Sequence, residues 1–355
     1  MTAIQELLPQ LVAGTPMSAE QAVDAFETIM TGQATDAQLG ALLALIQARG
    51  ATIDEITGAA QVMRRKVTAI GVPPDLTLID TCGTGGDHAS TFNISTAAAI
   101  VAAAAGRPKN VAVAKHGNRS VTSRSGSSQA FEQLGVKLKV APDTMTRCLD
   151  EAGICFCFAP SHHPAMKHAA PVRGQLGIAT IFNVLGPLTN PAGADRQVMG
   201  VFSPDLTEPI AQVLARLGSK RAMVVCGRFG DGILDELTTT GITRITNGAG
   251  SKIQTSDLNA ADLGLARAAP VDLQVDSPEA SAQVITNVLS GRAGPARDIV
   301  CLNAAAALNV AGAAQDLKAG LRLATEAIDS GAARKTLQTL VAVTQADREP
   351  SDAAT

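Results

Sequence analysis

The sequence predicts an α/β protein, a small N-terminal helical domain followed by a large α/β domain with a mainly parallel central sheet. Three features predict it. From Ile4 to about Val67 apolar residues return at helical spacing, as in Leu39, Leu42, Leu43 and Ile46, with no β-rich run between them. From Leu76 onward short β-rich runs alternate with helical ones, the pattern of parallel strands joined by crossovers. The first of those runs ends in a glycine-dense turn, Asp80-Thr81-Cys82-Gly83-Thr84-Gly85-Gly86-Asp87, that leads into a helix.

Each element has its own signal. Ser18 followed by Gln21 is a capping-box start for a helix in the opening segment. Gly71-Val72-Pro73-Pro74 breaks the helical pattern and reads as a linker. Strands are expected at 76–80, 110–115, 136–140, 154–158, 197–202, 221–226 and 242–246. Met166–Gly177 reads as helical, and Gly186-Pro187-Leu188-Thr189-Asn190-Pro191 as an irregular loop that interrupts the alternation. Between Ser277 and Gln345 three or more alanine-rich helices stop at Gly291, Gly312 and Gly331. Residues 346–355 read as a small-polar tail that frays.

Composition narrows the class of partner. With 355 residues, 46% apolar and 17% charged, the chain buries a large core and is expected to be soluble. A net charge of −3 gives no global field that would draw nucleic acid or an anionic membrane, so any anion must be held locally. The apolar run Ala97–Ala105 is too short to span a bilayer, and the N-terminus has no basic region followed by an apolar one. A cytoplasmic location is expected. The six cysteines include no Cys-x-x-Cys pair and read as reduced, with Cys155 and Cys157 on one face of a strand. His162-His163-x₄-His168 lacks the spacing of a zinc site.

The chemistry concentrates at strand ends. Glycines at 83, 85 and 86 let the backbone take positive φ and turn its N–H groups toward phosphate oxygens, with the positive end of the next helix aimed at the same place. A dinucleotide fingerprint would need glycine at His88, and a P-loop a Lys-Ser/Thr pair, so neither is present. Lys115-His116-Gly117-Asn118-Arg119-Ser120 closes the next strand, and Ser123-Arg124-Ser125-Gly126-Ser127-Ser128 follows it with hydroxyls and a further cation. Asp235-Glu236 is either an ordinary solvated pair or, beside a phosphorylated ligand, the holder of Mg²⁺. His116 is either a functional imidazole or a residue that holds its loop. Arg173 taken alone is a surface arginine.

In order and spacing the segments DTCGTGGD, NISTAAA, KHGNRSVTSRSGSS, HHPAMKHAAPVR, IFNVLGPLTNP and LDEL resemble the anthranilate phosphoribosyltransferases of tryptophan biosynthesis, over nearly the whole chain to about residue 340. Gln129, where the family usually has Asp, and Thr238-Thr239-Thr240-Gly241 depart from the pattern. The resemblance implies a nucleoside phosphorylase/phosphoribosyltransferase-like fold. Residues 1–72, joined by about 165–190, would form the helical domain, and 74–164 with 191–345 the α/β domain, the cleft lying between them. It implies transfer of phosphoribosyl from phosphoribosyl pyrophosphate to the amine of anthranilate. Gly83, Thr84, Gly85, Gly86 and Asp87 would contact phosphoribosyl pyrophosphate from the turn. Thr91, Asn93, Ser95 and Thr96 would do so from the helix entry, and Lys115 and Ser127 from the next strand end. Gly83, His116, Asn118 and Arg173 would contact anthranilate, with Arg173 on its carboxylate. Ser95, Asp235 and Glu236 would hold Mg²⁺, as two ions, and the protein would be a homodimer. No general base is assigned. The alternatives are a transferase for another aromatic amine, a pyrimidine nucleoside phosphorylase-like enzyme, for which the acidic metal pair is not needed, and a non-catalytic binder of phosphorylated ligands.

Overall fold

Helix starts in the N-terminal segment are fixed by side chains that satisfy free backbone N–H groups. The computed structural model describes residues 2–119, 125–250 and 252–347. Its first helices are α1 (Ala3–Val12), α2 (Ala19–Met30), α3 (Asp36–Arg49) and α4 (Ile53–Lys66). Ser18, Thr35 and Thr52 each accept from the third helical N–H while Gln21, Gln38 and Glu55 reach back to the cap. Glu55 is fully buried because it also accepts from the Met17 N–H at 3.0 Å and pairs with Arg49 at 2.6 Å.

The remainder alternates. In order come β1 (Thr77–Asp80), α5 (Ile94–Gly106), β2 (Val111–Gly117), α6 (Ser127–Gln133), α7 (Pro142–Arg147), β3 (Ile154–Phe158) and α8 (Ala159–His162). α9 (Ala170–Leu176), α10 (Phe182–Leu185), β4 (Arg196–Gly200), α11 (Thr207–Arg216), β5 (Arg221–Phe229), β6 (Gly232–Leu234), β7 (Ile242–Ala249) and β8 (Lys252–Asn259) follow. The chain closes with α12 (Pro278–Leu289), α13 (Pro295–Ala311), α14 (Leu317–Asp329) and α15 (Ala332–Gln345).

The strands form one sheet in the order β3-β2-β1-β4-β5-β7-β8, with β6 paired to β5. β3, β2, β1, β4 and β5 are parallel neighbours, and β5–β6, β5–β7 and β7–β8 are antiparallel. One apolar core packs the alanine-rich α5 and the C-terminal helices against the sheet. On the other face Met199, Val201 and Val224 join a core that runs through α11 into the N-terminal helices and takes in Ala169, Val172, Phe182 and Leu185. Gly331, at φ +77, ends α14 and Gly312, at φ +82, ends α13, as the left-handed stop of a helix requires. No helix among the described residues is long and apolar enough to cross a membrane.

One expected strand is absent, and two strands, β6 and β8, form where none was expected. Residues 136–140 are not a strand: the Val136 N–H donates to Phe131 O, and the Lys137 N–H to Thr344 Oγ1 at 3.3 Å, so α15 and the preceding turn take the groups that a ladder would need. β8 has no counterpart in the expected strands, because most of its residues are exposed and no apolar alternation marks it. The sheet is therefore parallel at its centre and antiparallel toward one edge. The tail beyond residue 347 lies outside the described residues.

Candidate active site

β1 lies between β2 and β4, and β3 lies beyond β2, so the strand order reverses between β1 and β4. Ligands of open α/β sheets bind outside the carboxyl ends of strands at such a reversal. Here the glycine turn leaves β1 and crosses the end of β4, the Thr84 N–H donating to Gly200 O at 2.9 Å. The Asp235–Glu236 loop passes over the same place. A Cβ on Gly200 would collide with the main-chain oxygen of Asp235, and one on Gly83 would lie 2.5 Å from Asp235 Oδ2. The Gly85 N–H donates to that Oδ2 at 2.7 Å. Gly85 and Gly86 have φ of +66° and +84°, and His88 and Ser90, at +55°, carry a left-handed conformation that costs a side-chain-bearing residue energy and clusters at functional loops.

The acidic loop is held on both flanks. Asn303 of α13 accepts from the Leu237 N–H at 3.0 Å and donates to Leu237 O at 2.9 Å. Thr238, Thr239 and Thr240 are buried, and Thr240 Oγ1 donates to Arg228 O at 2.7 Å. The threonines that depart from the family pattern thus make a fixed base for the acids. Glu236 Oε1 accepts from the Ser95 N–H at 3.0 Å, which sets a carboxylate on the positive end of α5.

These acids are short of counter-charge. Burial pushes the Glu236 carboxyl up to about 7 against the pull of Lys115. Burial, with Asp87 and Glu236 nearby, holds Asp235 well above the usual carboxylate range. A hard divalent cation would relieve that repulsion, and the oxygen donors Asp235, Glu236 and Ser95 suit one. Among the described residues no three His, Cys, Asp or Glu side chains are set to cage a metal by themselves.

At the end of β2, Lys115 is 2% exposed, and its ammonium donates to Thr81 O at 3.1 Å and Ser95 Oγ at 3.2 Å. It braces the β1 turn against α5. His116 is buried, its N–H donates to Asp80 Oδ1 at 3.1 Å, and its Nε2 lies 3.1 Å from His163 Nε2. Burial, with His163 adding, brings the His116 imidazole down to about 3, and burial brings His163 down to about 4. Asp80 Oδ2 accepts from Asn190 Nδ2 at 2.7 Å, and burial pushes Asp80 up to about 6 despite Lys115. The other histidines have separate neighbours: His162 Nδ1 lies against Thr68 O, His163 against His116, and the His168 ring against Gly32.

A cleft of about 640 Å³ takes in the glycine turn, the α5 entry, the β2 end and the acids on one side and Met63, Met166, Arg173 and Phe182 on the other. Gly83, Thr84, Gly85, Gly86, Asp87, Thr91, Asn93, Ser95, Lys115, His116, Asn118, Ser127, Arg173, Asp235 and Glu236 all line it. Thr96 does not: its side chain is fully buried in the first turn of α5, directly after Ser95. Asn93 lines the cleft, but its Oδ1 accepts from Ser125 Oγ and Ser281 Oγ, each at 2.7 Å, so the side chain fastens the α5 entry to its neighbours. Gln129 Oε1 accepts from the Gly126 N–H at 3.0 Å and so starts α6. Ser120, Ser123 and Arg124 lie outside the described residues. His163 and Phe182 line the cleft as well, and Asp80 and Asn190 brace the β2 end behind it; none of the four takes a role of its own from the sequence.

Residues 5–67 match the glycosyl transferase family helical bundle domain, and residues 75–334 the glycosyl transferase family a/b domain. Anthranilate phosphoribosyltransferase of Rhodospirillum rubrum is 50% identical over 340 residues, 96% of this chain and 95% of that protein. The enzyme of Moorella thermoacetica is 51% identical over 335 residues, 94% of this chain and 96% of its own. The crystal structure of anthranilate phosphoribosyltransferase from Thermus thermophilus superposes with a TM-score of 0.88 at 40% identity, over 98% of this chain and all of that one. The Saccharomyces cerevisiae enzyme in complex with phosphoribosyl pyrophosphate and Mg superposes with a TM-score of 0.85 at 26% identity, over 96% of this chain and 98% of that one. Built on that fold, with a glycine turn, an acid pair and an arginine around one cleft, the chain belongs to the anthranilate phosphoribosyltransferase family.

Proposed function

We propose that this chain carries out its family's reaction, transfer of the phosphoribosyl group of phosphoribosyl pyrophosphate to the amine of anthranilate with release of pyrophosphate. The observation that carries the reading is the meeting of an under-neutralised acid pair with the glycine turn and the α5 N-terminus in the cleft that Arg173 also lines. The amine nitrogen forms a bond to C1 of the ribose while the C1–O bond to pyrophosphate breaks, and the amine proton then passes to solvent.

The turn from Gly83 to Asp87, with Thr91, Asn93, Ser95 and Ser127, would cradle the phosphates and fix the ribose. Mg²⁺ would be held by Ser95, Asp235 and Glu236, in our reading as two ions. When bound it supplies positive charge against the departing pyrophosphate. Arg173 would receive the anthranilate carboxylate on its planar fork of donors, and His116 and Asn118 would bound the ring. With His116 and His163 held neutral, neither adds charge near the ribose.

The helical unit would comprise 1–72 joined by about 165–190, so that closure toward the α/β unit would bring the amine to C1. A cytoplasmic homodimer completes the reading. Its test is the loss of anthranilate fluorescence when phosphoribosyl pyrophosphate and Mg²⁺ are added to the purified protein. Turnover at a rate proportional to enzyme is expected, and no loss at any metal concentration would overturn it.

A further inference from the structure

Arg173 and Phe182 lie on α9 and α10, the short helices that face the sheet end of the cleft. The guanidinium carbon of Arg173 stands 5.1 Å from the centroid of the Phe182 ring, over its face. Among the described residues no carboxylate pairs with Arg173, and burial draws its pKa down. Phe182 is 5% exposed and also lies against the ring of Phe26, which is fully buried in α2, at 5.6 Å between centroids. The ring is thus anchored in the helical core and lines the cleft beside Arg173.

We infer that Phe182 is the positioning residue for Arg173: its ring face holds the guanidinium in the cleft by a cation–π contact and leaves the N–H edges free for a carboxylate. This rests on the reading of Arg173 as the acceptor of the anthranilate carboxylate. A carboxylate is the usual way to fix a buried arginine, but here one would occupy the fork that the substrate must enter. An aromatic face supplies attraction without using a donor. Phe182 touches neither substrate in this account. Its contribution is the direction in which Arg173 presents its fork.

The experiment keeps the shape of the side chain and changes only its electronics. Replacing Phe182 by mono-, di- and trifluorophenylalanine through amber suppression drains the negative ring face stepwise, with little change in volume. KM for anthranilate is expected to rise at each step, to about five- to tenfold at the end of the series, as loss of a partly desolvated cation–π contact implies. KM for phosphoribosyl pyrophosphate and kcat should stay within about twofold. In an Arg173→Ala background the same series should have no graded effect, because the partner is gone. A flat series in the wild-type background, or equal rises for both substrates, would overturn the role of Phe182. If Arg173→Ala itself leaves the anthranilate KM unchanged, the carboxylate reading fails and the inference falls with it. A rise with Arg173→Ala beside a flat fluorination series removes only Phe182.

Discussion

The main-chain N–H of Gly85 donates to Oδ2 of Asp235 at 2.7 Å, across 150 positions of sequence. The phosphate-type turn and the acidic loop are thus one structural unit, closed over the end of β4. Each half restricts the other: Asp235 occupies the space that a side chain at Gly83 would need, and Gly83 lets the carboxylate sit against the turn.

Gly83→Ala should therefore damage the acid pair and the turn together. Its Cβ would come within 2.5 Å of Asp235 Oδ2, closer than carbon and oxygen tolerate, so either the carboxylate or the turn must move. We expect kcat/KM for phosphoribosyl pyrophosphate to fall at least about tenfold, in line with the cost of misplacing a positioned group. The circular dichroism melt should be retained. Unchanged kcat/KM would show that the turn adapts freely.

Glu236→Gln keeps the size of the side chain and removes its charge. If the acids hold Mg²⁺ in the working enzyme, the rate should drop at least about tenfold and the Mg²⁺ concentration for half-activation should rise, since a catalytic metal supplies several kcal/mol. Chelator should abolish wild-type turnover. Full activity of the variant in chelator would exclude the acids as metal holders.

The chemistry that could be read from the sequence is the part written locally. Glycines at 83, 85 and 86 beside a strand, and cations directly after another, carry their meaning within eight residues. Asp80 does not. Its partners, the His116 N–H and Asn190, stand 36 and 110 positions away, and a lone acid at a strand end has no pattern of its own. Arg173 rose above an ordinary surface arginine only through the family resemblance. Its ring partner Phe182 stayed hidden because a phenylalanine in an apolar stretch reads as core, which in part it is. The expected strand at 136–140 misled for the opposite reason: Val136-Lys137-Leu138-Lys139-Val140 alternates as a strand should, but α15 competes for its backbone. Thr96 follows Ser95 into α5, yet helical rotation carries it to the buried side.

The paired histidines predict how stability depends on pH. Burial holds His116 at about 3, below the ordinary value near 6.5, so under pH 6.5 the unfolded chain takes up a proton that the folded one refuses. Its stabilisation is present above that pH and is lost as pH falls toward 3. Asp80, raised to about 6, works in the opposite direction between about 4 and 6, so the histidine share must be isolated by substitution. Between pH 7 and pH 5 wild type should lose about 2 kcal/mol more than His116→Gln, as 1.5 pH units of one proton imply. Urea midpoints at both pH values measure it, and parallel slopes would mean that His116 takes up its proton while folded.

The two substrates should separate by mutation. Arg173→Ala removes one face of the cleft without touching the turn, so KM for anthranilate should rise about tenfold or more, the equivalent of a charge-assisted bond of roughly 1.5–3 kcal/mol. KM for phosphoribosyl pyrophosphate should stay within about twofold. Equal rises for both would assign Arg173 to the fold or to closure of the cleft.

The Lys115 ammonium donates to Thr81 and Ser95. The sequence reading gives this lysine to the diphosphate, and in this structure its positive charge also lies near Asp80 and Glu236 and lowers both. A lysine that lowers the pKa of folded carboxylates stabilises the protein above their titration and ceases to do so as they protonate. Lys115→Met, which keeps most of the side-chain length without the charge, should therefore be most harmful at pH 8, where both acids are ionised. A loss of about 3–5 kcal/mol is expected there, the usual cost of leaving a buried charge without its partner. Below about pH 6 both acids carry protons, so the penalty should shrink toward that of the lost hydrogen bonds to Thr81 and Ser95. Denaturant midpoints of wild type and variant at pH 8 and pH 5 supply the comparison. A penalty that is the same at both would make Lys115 a packing and hydrogen-bonding residue whose charge does not act on the acid pair.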